Sequence, residues 1–295
     1  TVNTHDEIAM RALNQVEKAL LEIKAMHVEF LNTISKYKKE IAQAIEKDAR
    51  VALFSFALAE LFAEQAHTMS EPEENLAADL SRSGTDAWSR LQEAISSTVD
   101  MLWDSEQQIR KTVIQLRSLA FDADRDVRRR AYEAELAIWK THEVAFAHAL
   151  NGVKGTTITL DERRGYRDPL QRSVMQARIT DEVLEALIGT IEKNLGMFRR
   201  YLRAKAHALN LEHLAFYDLF APVGDAGLHF SYDEARSFIV EQFSQFHLPL
   251  GQFASMAFDR QWIDSEPRSG KVGGAYCTSF PLRKETRILA NFDHT

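Results

Sequence analysis

The sequence predicts a mainly α-helical fold with a small β-sheet or hairpin near its C-terminal end, and three observations carry that expectation. Glycine and proline are both missing from Thr4 to Gln65. Apolar residues recur at steps of three and four through long stretches of the chain, which is the period of a helix with one buried face. Only Gly270–Thr295, GKVGGAYCTSFPLRKETRILANFDHT, reads as glycine-rich turn and strand.

Taken in order, Ile8, Leu13, Val16, Leu20 and Ile23 predict long helix over 4–65, in two or more segments. Ser70 followed by Glu73, with Pro72 in the first turn, marks a new helix start, because the serine and the glutamate can each satisfy an orphan backbone amide. Glu71, Glu73 and Glu74 suit the positive end of that helix dipole. Gly84 before Thr85 opens the next helix, and 105–150 reads as helical with a short interruption at Asp122 and Asp124. The stretch LNGVKGTTITLDERRGYRDPL, 150–170, gathers three glycines, the β-rich TTITL and Pro169, and predicts a loop or hairpin. Leu184, Ile188, Ile191, Leu195, Phe198 and Leu202 then line one face of a long helix that Thr180 or Asp181 would cap. Beyond the YDLFAPVGDAG loop, Ser231 and Glu234 repeat the helix-start pattern. Ala275–Phe280 and Arg287–Phe292 flank a polar PLRKE turn and predict a hairpin, with Pro281 at an edge or a strand end.

Composition narrows the function. A hydrophobic content of 45%, a charged content of 27% and a net charge of −7 describe a globular protein and exclude a general nucleic-acid binder, which needs a basic surface. The basic run RDVRRR, 125–130, sits among acids and reads as a solvated helix face. The apolar run VALFSFALAELFA, 51–63, is shorter than the roughly 20 residues of a membrane span and contains Glu60, and the first 25 residues lack the continuous apolar centre of a signal peptide. A single cysteine, Cys277, allows no internal disulfide, in keeping with a cytoplasmic location. The chain begins at Thr1 rather than Met, so at least one end is expected to be trimmed.

The ten histidines invite a metal search. HEVAFAH, His142–His148, resembles a zinc-binding helix, but its histidines are six apart. Histidines four apart sit about 40° apart around a helix and share a metal; six apart they diverge by about 240°. His207 and His213 have the same unsuitable spacing. There is no GxSxG elbow and no P-loop. Cys277 alone reads as a small buried residue, and Met197, Phe198 and Tyr201 read as core. What remains is the tail: Gly270, Gly273 and Gly274 permit close backbone approaches beside a strand, and an open strand edge can pair with an extended peptide.

Several segments together resemble one family. HTMSEPEENLAADLSRSGTDAWSRL at 67–91, RRAYEAE to ALNGVKG at 129–155, RGYRDPLQRSV at 164–174, YLRAKAHAL with FYDLFAPVG at 201–224, and RSGKVGGAYCTSF to RILANF at 268–292 are similar in order and spacing to the oligoendopeptidase F group of zinc metallopeptidases, relatives of thimet oligopeptidase. The resemblance implies a helical, zincin-like oligopeptidase architecture with a channel for short peptides and a zinc held by an H-E-x-x-H helix and a following glutamate. No H-E-x-x-H occurs in this sequence. The chain is therefore expected to be the N-terminal portion of such an enzyme, truncated before the zinc helix, with 1–110 an N-terminal helical region and 111–295 an incomplete part of the peptidase domain. On that expectation the chain alone holds no catalytic residue, binds no zinc and is inactive, and its partners are short peptides and the missing C-terminal part of the same protein, with no nucleic acid or membrane. The family's glycine-rich loop and strand face the channel, so Gly273, Gly274, Ala275, Tyr276 and Cys277 are the candidate contacts to substrate backbone. Tyr276 offers a hydroxyl or a stacking face, and His294 reads as a loop residue. The alternative is a non-enzymatic helical peptide-binding protein that lacks the zinc site.

Overall fold

The structure is a computed structural model and describes residues 3–4, 6–224 and 230–292. The elements follow as α1 (Glu7–Lys36), α2 (Lys38–Lys47), α3 (Ala49–Ala52), α4 (Ser55–Gln65), α5 (Glu71–Ser81), α6 (Thr85–Thr98), β1 (Asp100–Asp104), β2 (Ile109–Thr112), α7 (Val113–Ser118), α8 (Arg125–Arg163), α9 (Pro169–Gln176), α10 (Asp181–Ala208), α11 (Tyr232–Phe246), α12 (Leu248–Asp259), β3 (Ile263–Asp264), β4 (Tyr276–Phe280) and β5 (Glu285–Leu289). The mainly α prediction, with a small sheet in the tail, therefore holds. By contact the chain divides into two compact units, one of 1–5, 93–144 and 193–295, the other of 6–92 and 145–192. Among the described residues no helix is long and apolar enough to cross a membrane.

In the second unit the helix starts appear where the capping residues place them. Ser70 precedes α5, and the Glu73 carboxylate accepts from the Ser70 amide at 3.1 Å and its hydroxyl at 2.6 Å. Glu74 does more than answer the helix dipole, because Arg164 donates to both its oxygens at 2.9 and 2.6 Å. The expected loop or hairpin at 150–170 is largely helix: α8 continues to Arg163. Two features remove the reasons for a break. A Cβ on Gly152 would lie 2.4 Å from the indole nitrogen of Trp88, so this glycine serves a close helix contact rather than a turn. The Thr156 and Thr157 hydroxyls donate to the carbonyls of Gly152 and Val153, one turn back, which accommodates β-branched residues inside the helix. The stop comes at Gly165, with φ of 72°, where the Tyr166 amide reaches back to the Asp161 carbonyl at 3.0 Å. Asp168 and Pro169 then start α9, the Gln171 amide donating to the Asp168 carboxylate.

The first unit contains a hairpin that helical spacing concealed. Residues 105–112, expected to be helical, turn from β1 into antiparallel β2. Asp104 accepts from the amides of Glu106 and Gln107, and Gln108 takes φ of 56°, so local turn chemistry overrides helix propensity here. Thr112 and Gln115 cap α7 reciprocally. Met101 and Trp103 of β1 pack on a core of Val113, Leu116, Ala131 and Ile138.

The basic run 125–130 also departs from its solvated reading. Arg128 is 3% exposed and donates to the carbonyls of Asp122, Ala123 and Tyr217 and to the Asp218 carboxylate. Arg125 holds the same carboxylate at 3.0 Å, and the Ala215 amide donates to it at 2.9 Å. Burial works to raise the Asp218 pKa, yet hydrogen bonds from Arg125, Ala215 and Arg128 hold it below its ordinary value. The three charges are mutually satisfied.

Thr180 caps α10, its hydroxyl oxygen accepting from the Val183 amide at 3.4 Å, but the apolar stripe of this helix is not core. Ile188, Ile191, Leu195 and Phe198 are exposed, as are Met197 and Tyr201, which were expected to be buried. Ile8, Val16, Leu20 and Ile23 of α1 are likewise exposed. Helical periodicity identified both helices correctly; it did not establish that their apolar faces are covered within this chain.

Asp218→Ala would strand Arg128 in a buried site and is expected to destabilise the first unit by about 3–5 kcal/mol, the range for breaking one side of a buried ion pair. Urea denaturation read by tryptophan fluorescence measures this, and a loss below about 1 kcal/mol, the scale of a surface pair, would contradict the assignment.

Candidate functional site

The tail forms a three-stranded sheet in the order β3-β5-β4. β5 runs parallel to β3 and antiparallel to β4, with Tyr276 opposite Leu289, Cys277 opposite Ile288 and Thr278 opposite Arg287. The predicted hairpin is present, its second strand beginning at Glu285 rather than Arg287 and its turn containing a short 3-10 segment, Pro281–Arg283. Pro281 falls just past the strand end, where its missing N–H removes no ladder bond.

The ladder decides which main-chain groups of β4 face outward. The Ile288 amide donates to Trp262 at 2.8 Å and the Ala290 amide to Asp264 at 2.9 Å, so these residues face β3. Successive residues of a strand point their N–H and C=O groups to opposite sides, which turns Arg287 and Leu289 toward β4. Their partners Thr278 and Tyr276 face inward, and Cys277 and Ser279 turn their amides and carbonyls to the open edge. All five residues of β4 are exposed, and β4 has no second neighbouring strand among the described residues. Natural sheet edges are usually blunted, so an open one is informative.

A buried lysine fixes the entry to this strand. Lys271 is 0% exposed, and its Nζ lies 2.7–3.0 Å from the carbonyls of Asp264, Glu266 and Ala290 and from Oδ1 of Asp264. One ammonium group thus joins β3, the loop after it and the end of β5. Arg268 clamps both Asp264 oxygens at 2.8 Å. Its hydrogen bonds, then those of Lys271, overcome desolvation and lower the Asp264 pKa to about 2. Gly270 is held on both sides: its amide donates to Ser97 at 2.9 Å and its carbonyl accepts from Thr4 at 2.8 Å. Gly274 takes φ of 80°, a conformation that other residues rarely adopt, and leads into β4.

Gly273, Gly274, Ala275, Tyr276 and Cys277 therefore form one exposed run at the edge of the sheet. Cys277 is exposed, contrary to its reading as a small buried residue, because neither face of β4 is covered; its sulfur lies against the Thr286 hydroxyl. Sequence reasoning missed Lys271, Asp264 and Arg268. A lysine in a glycine-rich loop ordinarily reads as solvated, and the only signal was the Asp264 to Arg268 spacing. His294 lies outside the described residues. Among the described residues no three His, Cys, Asp or Glu side chains come together as a metal centre.

A concavity of about 1140 Å³ lies in the other unit and is lined by Glu60, Glu64, Glu74, His67, Arg164 and Arg178 among others. Its acids are already engaged, Glu60 by Arg178, Glu64 by His27 and Glu74 by Arg164. The strand edge, with its unused backbone groups, is the stronger site.

Comparison with known proteins assigns the family. Residues 34–100 match the family model described as oligopeptidase F, and residues 118–295 match peptidase family M3. The chain belongs to peptidase family M3. It is 27% identical over 266 residues to the group B oligopeptidase PepB of Streptococcus agalactiae, covering 85% of this chain and 44% of that protein. To oligopeptidase PepF of Bacillus subtilis it is 26% identical over 251 residues, covering 82% and 37%. Among solved structures, PZ peptidase A with inhibitor 2 matches at a TM-score of 0.79 and 18% identity, and an oligoendopeptidase F from Bacillus anthracis at 0.76 and 18%. Each match covers 100% of this chain and 51% or 52% of the other, so the chain has the oligoendopeptidase fold. The chain spans less than half the length of these two curated relatives.

Asp264 supplies a pH test of the clamp. Its pKa falls from 3.8 to about 2 in the folded chain, so its stabilisation is complete above about pH 5 and is lost progressively as pH drops toward 2. Thermal melts of the wild type and Asp264→Asn should differ by a constant amount above about pH 5 and converge below about pH 4. A difference that persists undiminished at pH 2 would contradict the carboxylate's role.

Proposed function

We propose that this M3 chain is part of a cytoplasmic, zinc-dependent oligoendopeptidase that hydrolyses internal bonds of short peptides, and that its share of the work is to provide channel wall and to hold the substrate on β4. On this reading 1–110 forms the N-terminal helical region and 111–295 belongs to the peptidase domain. The observation that carries the reading is the open edge of β4, where Cys277 and Ser279 present main-chain donors and acceptors at the spacing of an extended peptide. A peptide added there is recognised through its backbone, so binding tolerates varied side chains, as an oligopeptidase requires. Tyr276 and Phe280 are both 45% exposed and flank the bound backbone with aromatic surface.

The described residues do not fit a zinc centre, and no catalytic step is assigned to them. The metal, its ligands and the general base are proposed to come from another part of the whole protein, which is this chain's main partner. The physical contribution of β4 is positional: a peptide fixed by several backbone bonds has its scissile carbonyl placed in one orientation, which lowers the entropic part of the barrier.

The 295-residue chain is expected to bind no stoichiometric zinc and to leave an internally quenched peptide intact. A longer chain that includes an H-E-x-x-H segment is expected to bind one zinc and to cleave that peptide in a chelator-sensitive manner. Zinc-dependent cleavage by the 295-residue chain would overturn the division of labour. Peptide binding without cleavage by the longer, zinc-loaded chain would favour the alternative of a non-enzymatic peptide-binding protein.

A further inference from the structure

Asn291, two residues beyond β5, donates its carboxamide N–H groups to two carbonyls on either side of Gly273, that of Val272 at 3.1 Å and that of Gly274 at 2.9 Å. Because both partners are acceptors, the amide orientation is fixed: the nitrogen must face them. The opposite atom, Oδ1, is buried and has no hydrogen-bond partner among the described residues. A buried acceptor left unpaired is unfavourable, so the carboxamide is held in this orientation by its two bonds to the carbonyls against that cost.

The same two bonds set the neighbouring peptide planes. There are no cis peptide bonds among the described residues, and in a trans peptide the C=O and the following N–H point in opposite directions. Turning the Val272 carbonyl toward Asn291 therefore turns the Gly273 amide away from it. Turning the Gly274 carbonyl inward does the same for the amide of Ala275. Both residues are exposed, and neither amide has an acceptor among the described residues. The β4 ladder points the same way independently, since Ala275 has the parity of Cys277 and Ser279, whose main-chain groups face the open edge.

We propose that Asn291 is a positioning residue that aims the Gly273 and Ala275 amides outward as a pair of donors for substrate carbonyls, extending the peptide-binding edge past the first residue of β4. This rests on β4 being the peptide strand. Asn291 itself touches no substrate. Its carboxamide sets the two peptide planes from behind, and Lys271, bound to the adjacent Ala290 carbonyl, holds that segment in place.

The test uses the 295-residue chain, labelled with ¹⁵N, and a mixed-sequence octapeptide acetylated and amidated at its ends. In the wild type, peptide should shift the amide resonances of Gly273 and Ala275 together with those of Cys277 and Ser279. Asn291→Asp replaces the donor with a carboxylate that repels both carbonyls. It should weaken binding about tenfold and abolish the Gly273 and Ala275 shifts while the Cys277 and Ser279 shifts remain. Asn291→Gln, which keeps the donor, should recover part of the affinity. Ala275→Pro removes one N–H directly and should weaken binding with Asn291 intact, which keeps the test decisive if the Asp variant fails to fold. Wild-type shifts at all four amides with undiminished binding by both Asn291→Asp and Ala275→Pro would overturn the positioning role alone. An absence of shifts anywhere from Gly273 to Ser279 in the wild type would overturn the peptide-strand reading beneath it.

Discussion

The tail depends on a single ammonium group. Lys271 is fully buried, and desolvating a lysine is among the least favourable steps a folding chain can take, so the site exists only because acceptors from three segments converge on it. Asp264 supplies the countercharge and is shared with Arg268. From this point outward the geometry follows: β3 is tied to the end of β5, the chain is delivered to Gly273 and Gly274 in one direction, and β4 is laid along the outer side of β5. A hydrophobic residue at 271 would pack but would leave the Asp264, Glu266 and Ala290 carbonyls without this common donor.

The candidate site is therefore a rigidly held edge rather than a pocket. The clamp lies on the buried side of the turn, and the open groups lie on the other. This separation lets a two-residue β3 and five-residue β4 and β5 present an extended surface without losing register. The proposed recognition of peptide backbone agrees with the exposed, mixed side chains of β4, which offer aromatic surface and hydroxyls but no charge.

Much of the architecture was legible in the residues. The capping patterns at Ser70, Thr180 and Ser231 placed helix starts because a cap is a local interaction, settled by residues within one turn. The tail hairpin and its glycines were legible for the same reason. What sequence periodicity missed was decided by partners far along the chain. Gly152 looks like a breaker until Trp88 is seen against it, and Arg128 looks solvated until Asp218 arrives 90 residues later. The Asp100–Thr112 hairpin was hidden because its turn is made by Asp104 and Gln108 rather than by glycine or proline. Cys277 was misjudged since burial depends on what covers a strand, which the strand's own sequence does not record.

Pairing of an extended peptide with the open edge of β4 is read out by residue-resolved hydrogen exchange with and without peptide. Tyr276 and Thr278, bonded to β5, should exchange slowly in both states. Cys277 and Ser279 should exchange quickly in the free chain and slow markedly when a peptide binds. Protection of Cys277 and Ser279 in the free chain, or peptide binding that leaves both amides unprotected, would rule out peptide pairing at this edge.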